Sequence, residues 1–166
     1  MQVVKLSCKD VDAYLAFRAQ GLIEEQMFFR VSKADDDNLG REFWQKRLGI
    51  DRVFGVYYED RLVGIGGLMR LVGKKPCHKG LIWGMYIAPD VRNGSASNLL
   101  MGALLDAARG YVTHLQLTLM ADNIRAQKYY ERFGFKHYGI EPQSVMTPDG
   151  PADEVLMWRL VDGPTP

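Results

Sequence analysis

The chain has few cysteines and no long apolar segment. Among 166 residues only Cys8 and Cys77 occur, without a CxxC pair or a metal-like spacing to the three histidines. Disulfide-rich and zinc-ribbon scaffolds are therefore excluded, and we expect a reduced, cytoplasmic setting. The longest stretch without a charged residue, Asn93 to Leu105, is too short to span a bilayer. The N-terminus also lacks the apolar core of a signal peptide.

The chain has almost no net charge. Lys plus Arg is 21 and Asp plus Glu is 20, which gives a formal charge of +1. This balance gives no electrostatic reason to expect nucleic acid or an anionic membrane as a partner. Apolar residues make up 47% of the sequence, too many for a disordered chain. We expect one domain over residues 1–166, with 162–166 as a frayed tail.

Periodicity predicts the order strand, two helices, three strands, helix, strand, helix, two strands. The central strand–helix–strand predicts a parallel pair within an otherwise antiparallel sheet, so the fold class is mixed α+β. Asp35-Asp36-Asp37 favours a solvated helix start over a metal site, and we expect no metal. Residues 143–152 are predicted to form a loop before the last strand. The first helix is predicted to bury one apolar face: Val11, Leu15, Ala19, Leu22, Ile23 and Met27.

The turn before the third helix is built from small and polar residues. Arg92 precedes the run Asn93 to Asn98. Such a run lets backbone N–H groups converge on an anion at a helix N-terminus, where the helix dipole also favours negative charge. It is neither a Walker A loop nor GxGxxG. The residues alone leave an ordinary strand–helix loop as the alternative.

Two segments resemble the GNAT superfamily of acetyl-CoA-dependent N-acetyltransferases. Trp83 to Pro89 is similar to the family's apolar strand. A little further along, Arg92 to Ser97 align with its Arg-x-x-Gly-x-Gly. Asn123 to Phe135 matches its Asn, Ala, Tyr and Gly-Phe positions in register. Ser95 and Ser97 stand where the family usually has glycine, and serine tolerates a positive φ less well.

The resemblance implies a three-layer fold with about seven strands, a splayed parallel pair and about four helices. It implies acetyl-CoA as cofactor, and Tyr130 as a general acid beside the coenzyme sulfur. The coenzyme contacts that it implies, besides Tyr130, are Met85, Tyr86, Ile87, Arg92, Asn93, Gly94, Ser95, Ala96, Ser97, Asn98 and Asn123.

The expected activity is acetyl transfer to a primary amine of a small molecule or peptide. The alternative is a non-catalytic acyl-CoA-binding regulatory module. The strand before the loop lacks a carboxylate, so the base is left open among Glu24, Glu25, Asp153, Glu154 and a water chain. Homodimers are common in the family, and the sequence leaves the oligomeric state open. Weaker candidates for substrate contact are Glu24, Glu25, Phe28 and Tyr57.

Overall fold

The computed structural model describes residues 1–92 and 94–162, and within them seven strands form one sheet in the order β1-β2-β3-β4-β5-β7-β6. The pair β4 and β5 is parallel, and the other neighbours are antiparallel. The mixed α+β class is therefore confirmed. The strands are β1 Gln2–Lys5, β2 Arg52–Tyr58, β3 Arg61–Arg70, β4 Lys79–Ile87, β5 His114–Met120, β6 Lys136–Thr147 and β7 Gly150–Leu160.

Local capping sets where the helices begin. Ser7 and Asp10 form a capping box on a short 3-10 turn that leads into α1. The Ser32 hydroxyl accepts from the Asp35 N–H at the start of α2. Gly40, at φ 74°, kinks α2. In the described part of the chain the helices are α1 Val11–Glu24, α2 Lys33–Ile50, α3 Ala96–Ala108 and α4 Ile124–Arg132.

Helices cover both faces of the sheet. Gly66 and Gly67 are neighbours on β3 and therefore face opposite sides. A Cβ on Gly66 would meet Leu100 and Leu104 of α3, whereas one on Gly67 would meet the Trp83 ring. Trp83 in turn packs against Trp44 of α2. The layers are thus α1 and α2, the sheet, and then α3 with α4 beside it.

The parallel pair separates after a few residues. β4 and β5 are in register only from Lys79↔His114 to Leu81↔Gln116. Beyond these pairs the two strands diverge as each runs toward its carboxyl end. The divergence opens a gap in the centre of the sheet, and the predicted splayed pair is confirmed.

A bulge in β4 lies beside this gap. Between the pairs Gly67↔Trp83 and Ile65↔Tyr86, one residue of β3 faces two residues of β4, Gly84 and Met85. Gly84 takes φ 62°, a left-handed backbone that suits glycine. The extra residue turns Trp83 and Tyr86 to the same face, toward α1 and α2.

Two expectations from the sequence were wrong. Residues 145–147 and 150–152 are paired strand, Val145↔Ala152 to Thr147↔Gly150, rather than loop. The buried face of α1 is also rotated, because Ile23 is 63% exposed while two residues that carry no apolar side chain are buried. That face comprises Val11, Tyr14, Phe17, Arg18, Gly21 and Leu22.

Candidate active site

A cavity of about 700 Å³ passes through the gap between β4 and β5. On one side of the sheet its lining includes Arg18 of α1 and Trp44 of α2. On the other side it includes Ser97 of α3 and Tyr130 of α4. The cavity therefore has two walls, which we name after the acyl acceptor and acyl donor that the resemblance implies. The acceptor wall comprises α1, α2 and the segment between them. The donor wall comprises the start of α3, and α4.

The start of α3 presents backbone donors to the donor wall. Ser95 is the N-cap at φ −80°, and the first bond of the helix runs from the Leu99 N–H to the Ser95 carbonyl. The N–H groups of residues 96–98 precede this bond and so have no partner inside the helix. Ser95 and Ser97 both avoid the left-handed region, so serine at these two positions is unstrained. Asn93 lies outside the described residues.

Arg92 is held by the strand it follows. Its Nε donates to the Ile87 carbonyl at 2.9 Å, and its Nη1 lies 2.5 Å from Glu25 Oε1. Both side chains are largely buried, at 20% and 17% exposure. Arg92 therefore ties α1 to the end of β4 at the rim of the cavity, and Glu25 is its partner.

The edge of β4 faces the gap with unpaired backbone groups. The Ala88 N–H donates to the Val63 carbonyl on β3. The backbone N–H groups of successive residues in a strand point alternately toward its two neighbours in the sheet. The Ile87 N–H is therefore directed away from β3 and toward the gap. A Cβ on Gly66 would meet the Met85 side chain as well as Leu100 and Leu104 of α3, and a Cβ on Gly64 would meet Ile87. Gly64 and Gly66 face the same side of β3, so Met85 and Ile87 both face α3.

Asn123 and Tyr130 occupy the donor wall on α4. Asn123 is the N-cap of that helix, and its Oδ1 accepts from the Ala126 N–H at 3.1 Å. Its amide nitrogen is left available to the cavity. The Tyr130 hydroxyl has a single partner among the described residues, the thioether sulfur of Met85 at 3.6 Å, a weak acceptor. Burial, followed by the neighbouring Tyr129, raises the pKa of Tyr130, so its proton is retained across the neutral range.

Tyr129 differs from Tyr130 in its contacts. Its hydroxyl donates to the Ser97 carbonyl at 2.7 Å and so joins α4 to α3. Burial raises the pKa of Tyr129 to about 12. One tyrosine of the pair thus has its hydroxyl committed to the fold, and the other has its hydroxyl directed at the gap.

The Tyr86 side chain lies on the acceptor side, and its backbone is paired with Ile65 of β3. Its hydroxyl donates to Glu24 Oε2 at 2.5 Å, and this bond lowers the pKa of Glu24. A Cβ on Gly21 would approach the Tyr86 ring to 2.7 Å, so α1 passes this close only because residue 21 is glycine.

The remaining sequence candidates are separated by the fold. Phe28, 40% exposed, lines the cavity. Tyr57 lies on β2 between β1 and β3, two strands from the gap. Of the two candidate bases on β7, Glu154 is 2% exposed and lines the cavity. Asp153 accepts from the Gln143 N–H.

Sequence reasoning missed an ion pair in the acceptor wall. Arg18 and Asp36 are both buried, at 5% and 6% exposure. Arg18 Nε donates to both carboxylate oxygens of Asp36 at 3.0 Å, and Arg18 Nη2 donates to Oδ1 at 2.8 Å. Asp36 was predicted to be solvated, which is wrong: only its place in the first turn of α2 is confirmed. The signal would have been a lone arginine between Tyr14 and Gly21 on one helical face.

A second ion pair closes the far end of this wall. Arg30 lies 3.1 Å from Glu154 Oε2, and the Ser144 hydroxyl donates to the same carboxylate at 2.6 Å. Within residues 1–92 and 94–162, no cluster of His, Cys, Asp and Glu could hold a metal ion. In the same part of the chain, no helix is long and apolar enough to cross a membrane.

Comparison with solved structures finds the same fold at low sequence identity. An acetyltransferase of the GNAT family from Streptococcus pneumoniae is 20% identical, with a TM-score of 0.84 over 96% of this chain and 98% of that one. The Salmonella typhimurium yncA protein, solved with its cofactor acetyl-CoA, is 14% identical, with a TM-score of 0.83 over 100% and 96%. The ribosomal-protein-S18-alanine N-acetyltransferase of Escherichia coli is 17% identical, with a TM-score of 0.73 over 98% and 95%.

A comparison with curated protein sequences finds no match. The model of the acetyltransferase (GNAT) family matches residues 19–135, from the middle of α1 to the residue before β6. This span contains the gap, the loop before α3 and the Tyr129–Tyr130 pair. Acetyl-CoA is the acyl donor that this family uses. The chain belongs to the GNAT acetyltransferase family.

Proposed function

We propose that the protein is an N-acetyltransferase that moves an acetyl group from acetyl-CoA directly to a primary amine, with Tyr130 as general acid. The observation that carries this proposal is the Tyr130 hydroxyl. It is a protonated donor beside the gap, and its one hydrogen-bond partner in the described residues is a thioether. The residue is part-buried and lines the cavity, so the hydroxyl is free to donate to a ligand there.

The donor wall fits the coenzyme. The N–H groups at the start of α3 have no partner inside the helix and are suited to a pyrophosphate, because the helix dipole adds to their attraction for an anion. The unpaired edge of β4 can bond an extended amide chain as another strand would. The expected contact Gly94 lies just before α3, and Ala96 and Asn98 lie in the first turn of that helix. When bound there, acetyl-CoA supplies the thioester whose acetyl group is transferred.

This chain's own residues supply the proton movements. The acceptor nitrogen forms a bond to the acetyl carbon as the carbon–sulfur bond breaks, and Tyr130 Oη gives its proton to the departing sulfur. The Ile87 N–H, which points into the gap, would stabilise negative charge that develops on the acetyl oxygen. The nitrogen loses one proton to a base and the sulfur gains one from Tyr130. Passage of the first proton through water to the Tyr130 oxygen restores both groups, so the proton count balances.

Two of the carboxylates considered as bases line the cavity. Glu25 faces it beside Arg92, and Glu154 faces it beside Arg30. Each is paired with an arginine at the cavity, where its carboxylate would receive the proton of the acceptor nitrogen directly or through water. Replacing each in turn by glutamine, and following the acid limb of the rate profile, would identify the base.

The test is coenzyme thiol release from acetyl-CoA with a broad panel of primary amines. We expect turnover, and we expect Tyr130→Phe to lower kcat about 10²-fold or more while coenzyme affinity changes less than about threefold. Because the pKa of Tyr130 is raised, the wild-type rate should show no fall near pH 10 from loss of this proton. Tyr129→Phe is the matched control, and it should cost stability with a much smaller effect on kcat.

Two results would contradict the proposal. Equal kcat for the wild type and Tyr130→Phe would remove Tyr130 from the mechanism. Tight coenzyme binding without thiol release for any amine would instead support a non-catalytic acyl-CoA-binding module.

A further inference from the structure

The guanidinium of Arg18 is only partly satisfied. Asp36 takes its Nε and Nη2, whereas Nη1 is buried and has no hydrogen-bond partner among the described residues. The Trp44 ring lies 4.4 Å from the guanidinium carbon and fixes its plane. A buried charged donor without an acceptor is expensive, and proteins retain such groups where a ligand completes them.

Arg18 Nη1 lies beside the bulge of β4. The Cβ that Gly84 lacks would sit 3.2 Å from Nη1, and both residues line the cavity. Nη1 therefore occupies the place that a Cβ on residue 84 would need, and glycine lets the guanidinium lie directly against the backbone of β4. Met85, the next residue, contacts the Tyr130 hydroxyl. The free donor and the proposed acid are thus placed at adjacent residues of β4, on opposite faces.

The other arginines of the acceptor wall already have carboxylate partners. Arg47 lies 2.9 Å from Asp51 and stacks on Trp83, and Arg30 is paired with Glu154. The carboxylates that line the cavity are likewise paired, Asp36 with Arg18 and Glu25 with Arg92. In the part of the chain described, Arg18 Nη1 is the arginine nitrogen of this wall that is both buried and unpartnered.

We propose that Arg18 Nη1 binds a carboxylate of the acceptor, so that the substrate is an amino acid whose α-amine lies at the gap. This inference rests on the proposed acetyl transfer. The carboxylate accepts from Nη1 beside Gly84, and the amine, two bonds from the carboxylate carbon, extends through the gap toward Tyr130. Phe28, Phe29, Leu39 and Trp44 line the same wall and suit an apolar side chain.

The experiment compares leucine with 3-methylbutylamine, which is leucine without its carboxylate, as acceptors of the wild-type enzyme. We expect kcat/KM for leucine to be higher by about 10²-fold or more, because a site built for a polar group rejects the analogue that lacks it. Arg18→Lys keeps a charge opposite Asp36 but loses the second guanidinium nitrogen. It should reduce this ratio by about 30-fold or more. Arg52→Lys, on β2 and outside the cavity lining, should leave the ratio within about threefold of wild type.

A second variant guards against loss of folding. Arg18→Met combined with Asp36→Leu removes the ion pair without leaving one charge buried, and it should also abolish the preference for leucine. No preference in the wild type, or an unchanged ratio in both variants, would overturn the inference. So would a fall in coenzyme A affinity that matches the fall in the ratio, since Arg18 would then serve the donor side.

Failure of the proposed function gives a different result. If no amine releases thiol, calorimetry of leucine with the protein loaded with coenzyme A still decides the inference. Binding by the wild type and at least tenfold weaker binding by Arg18→Lys would support it. No heat of binding for the wild type would overturn it.

Discussion

The two walls of the cavity are built in different ways. The donor wall relies on backbone groups at two helix starts and on a local cap, Asn123 with Ala126, and the Tyr129–Ser97 bond joins its two helices. The acceptor wall relies on side-chain pairs between distant segments, such as Arg18 with Asp36 and Tyr86 with Glu24. A short stretch of sequence therefore specifies most of the first wall, whereas the second depends on pairs formed only when the chain is folded.

Because the two walls are built differently, substitutions on one should mainly change ligand binding, and substitutions on the other should mainly change the stability of the fold. Backbone donors at a helix start exist whatever the side chains are, so changes at the start of α3 should act mainly on the ligand. The acceptor wall contains a buried ion pair between Arg18 and Asp36, so removal of one of these charges should act first on the fold. Substitutions chosen on each wall can break or sharpen this contrast.

The largest effect is expected at Asp36. Asp36→Ala leaves the Arg18 guanidinium buried without its carboxylate, and the free energy of unfolding should fall by about 3–5 kcal/mol. Urea denaturation followed by circular dichroism measures the change. The double variant Arg18→Met with Asp36→Leu is the control and should recover most of the loss. A loss below about 1 kcal/mol for Asp36→Ala would mean that the pair is solvated.

A smaller effect, on the ligand instead of the fold, is expected at Ser95. Ser95→Asp puts a negative charge at the start of α3, where the pyrophosphate is proposed to lie, and coenzyme A should bind about 10²-fold more weakly, roughly 2.7 kcal/mol. The same charge interacts favourably with the dipole of α3, so stability should rise by about 0.5 kcal/mol. Calorimetry and thermal unfolding check the two signs. Ser95→Ala is the control, and unchanged coenzyme affinity in Ser95→Asp would show that the pyrophosphate lies elsewhere.

The donor wall could largely be predicted from the sequence. Caps, strand–helix turns and small-residue runs are local, and so are the neighbours that fix Asn123 and the start of α3. The parallel pair also followed from the order of elements. Short sequence separation is what makes these features accessible without coordinates.

The acceptor wall could not be predicted because burial there contradicts residue type. Periodicity assigns Ile23 to the buried face of α1 and leaves Arg18 out of it, yet the fold exposes Ile23 and buries Arg18 against Asp36 on another helix. The pairing of residues 145–152 was hidden for a related reason. A register shift between Glu141 and Val145 interrupts the pattern, so the segment resembles a loop.

The smallest effect uses one substitution on two helices. Gly21→Ala on α1 would place a Cβ 2.7 Å from the Tyr86 ring, costing about 1–3 kcal/mol of overpacking against about 1 kcal/mol gained in helix propensity. A net loss of roughly 1 kcal/mol should result, with the Tyr86–Glu24 bond displaced. Gly102→Ala on α3 has nothing within 4 Å of the new Cβ, so it should gain about 0.5–1 kcal/mol. Thermal unfolding measures the change in stability for both variants. Changes of opposite sign would show that α1, unlike α3, is held against the sheet by a contact that only glycine permits. Changes of the same sign would mean that the Tyr86 ring moves aside at little cost, so the acceptor wall is less tightly packed than the contact implies.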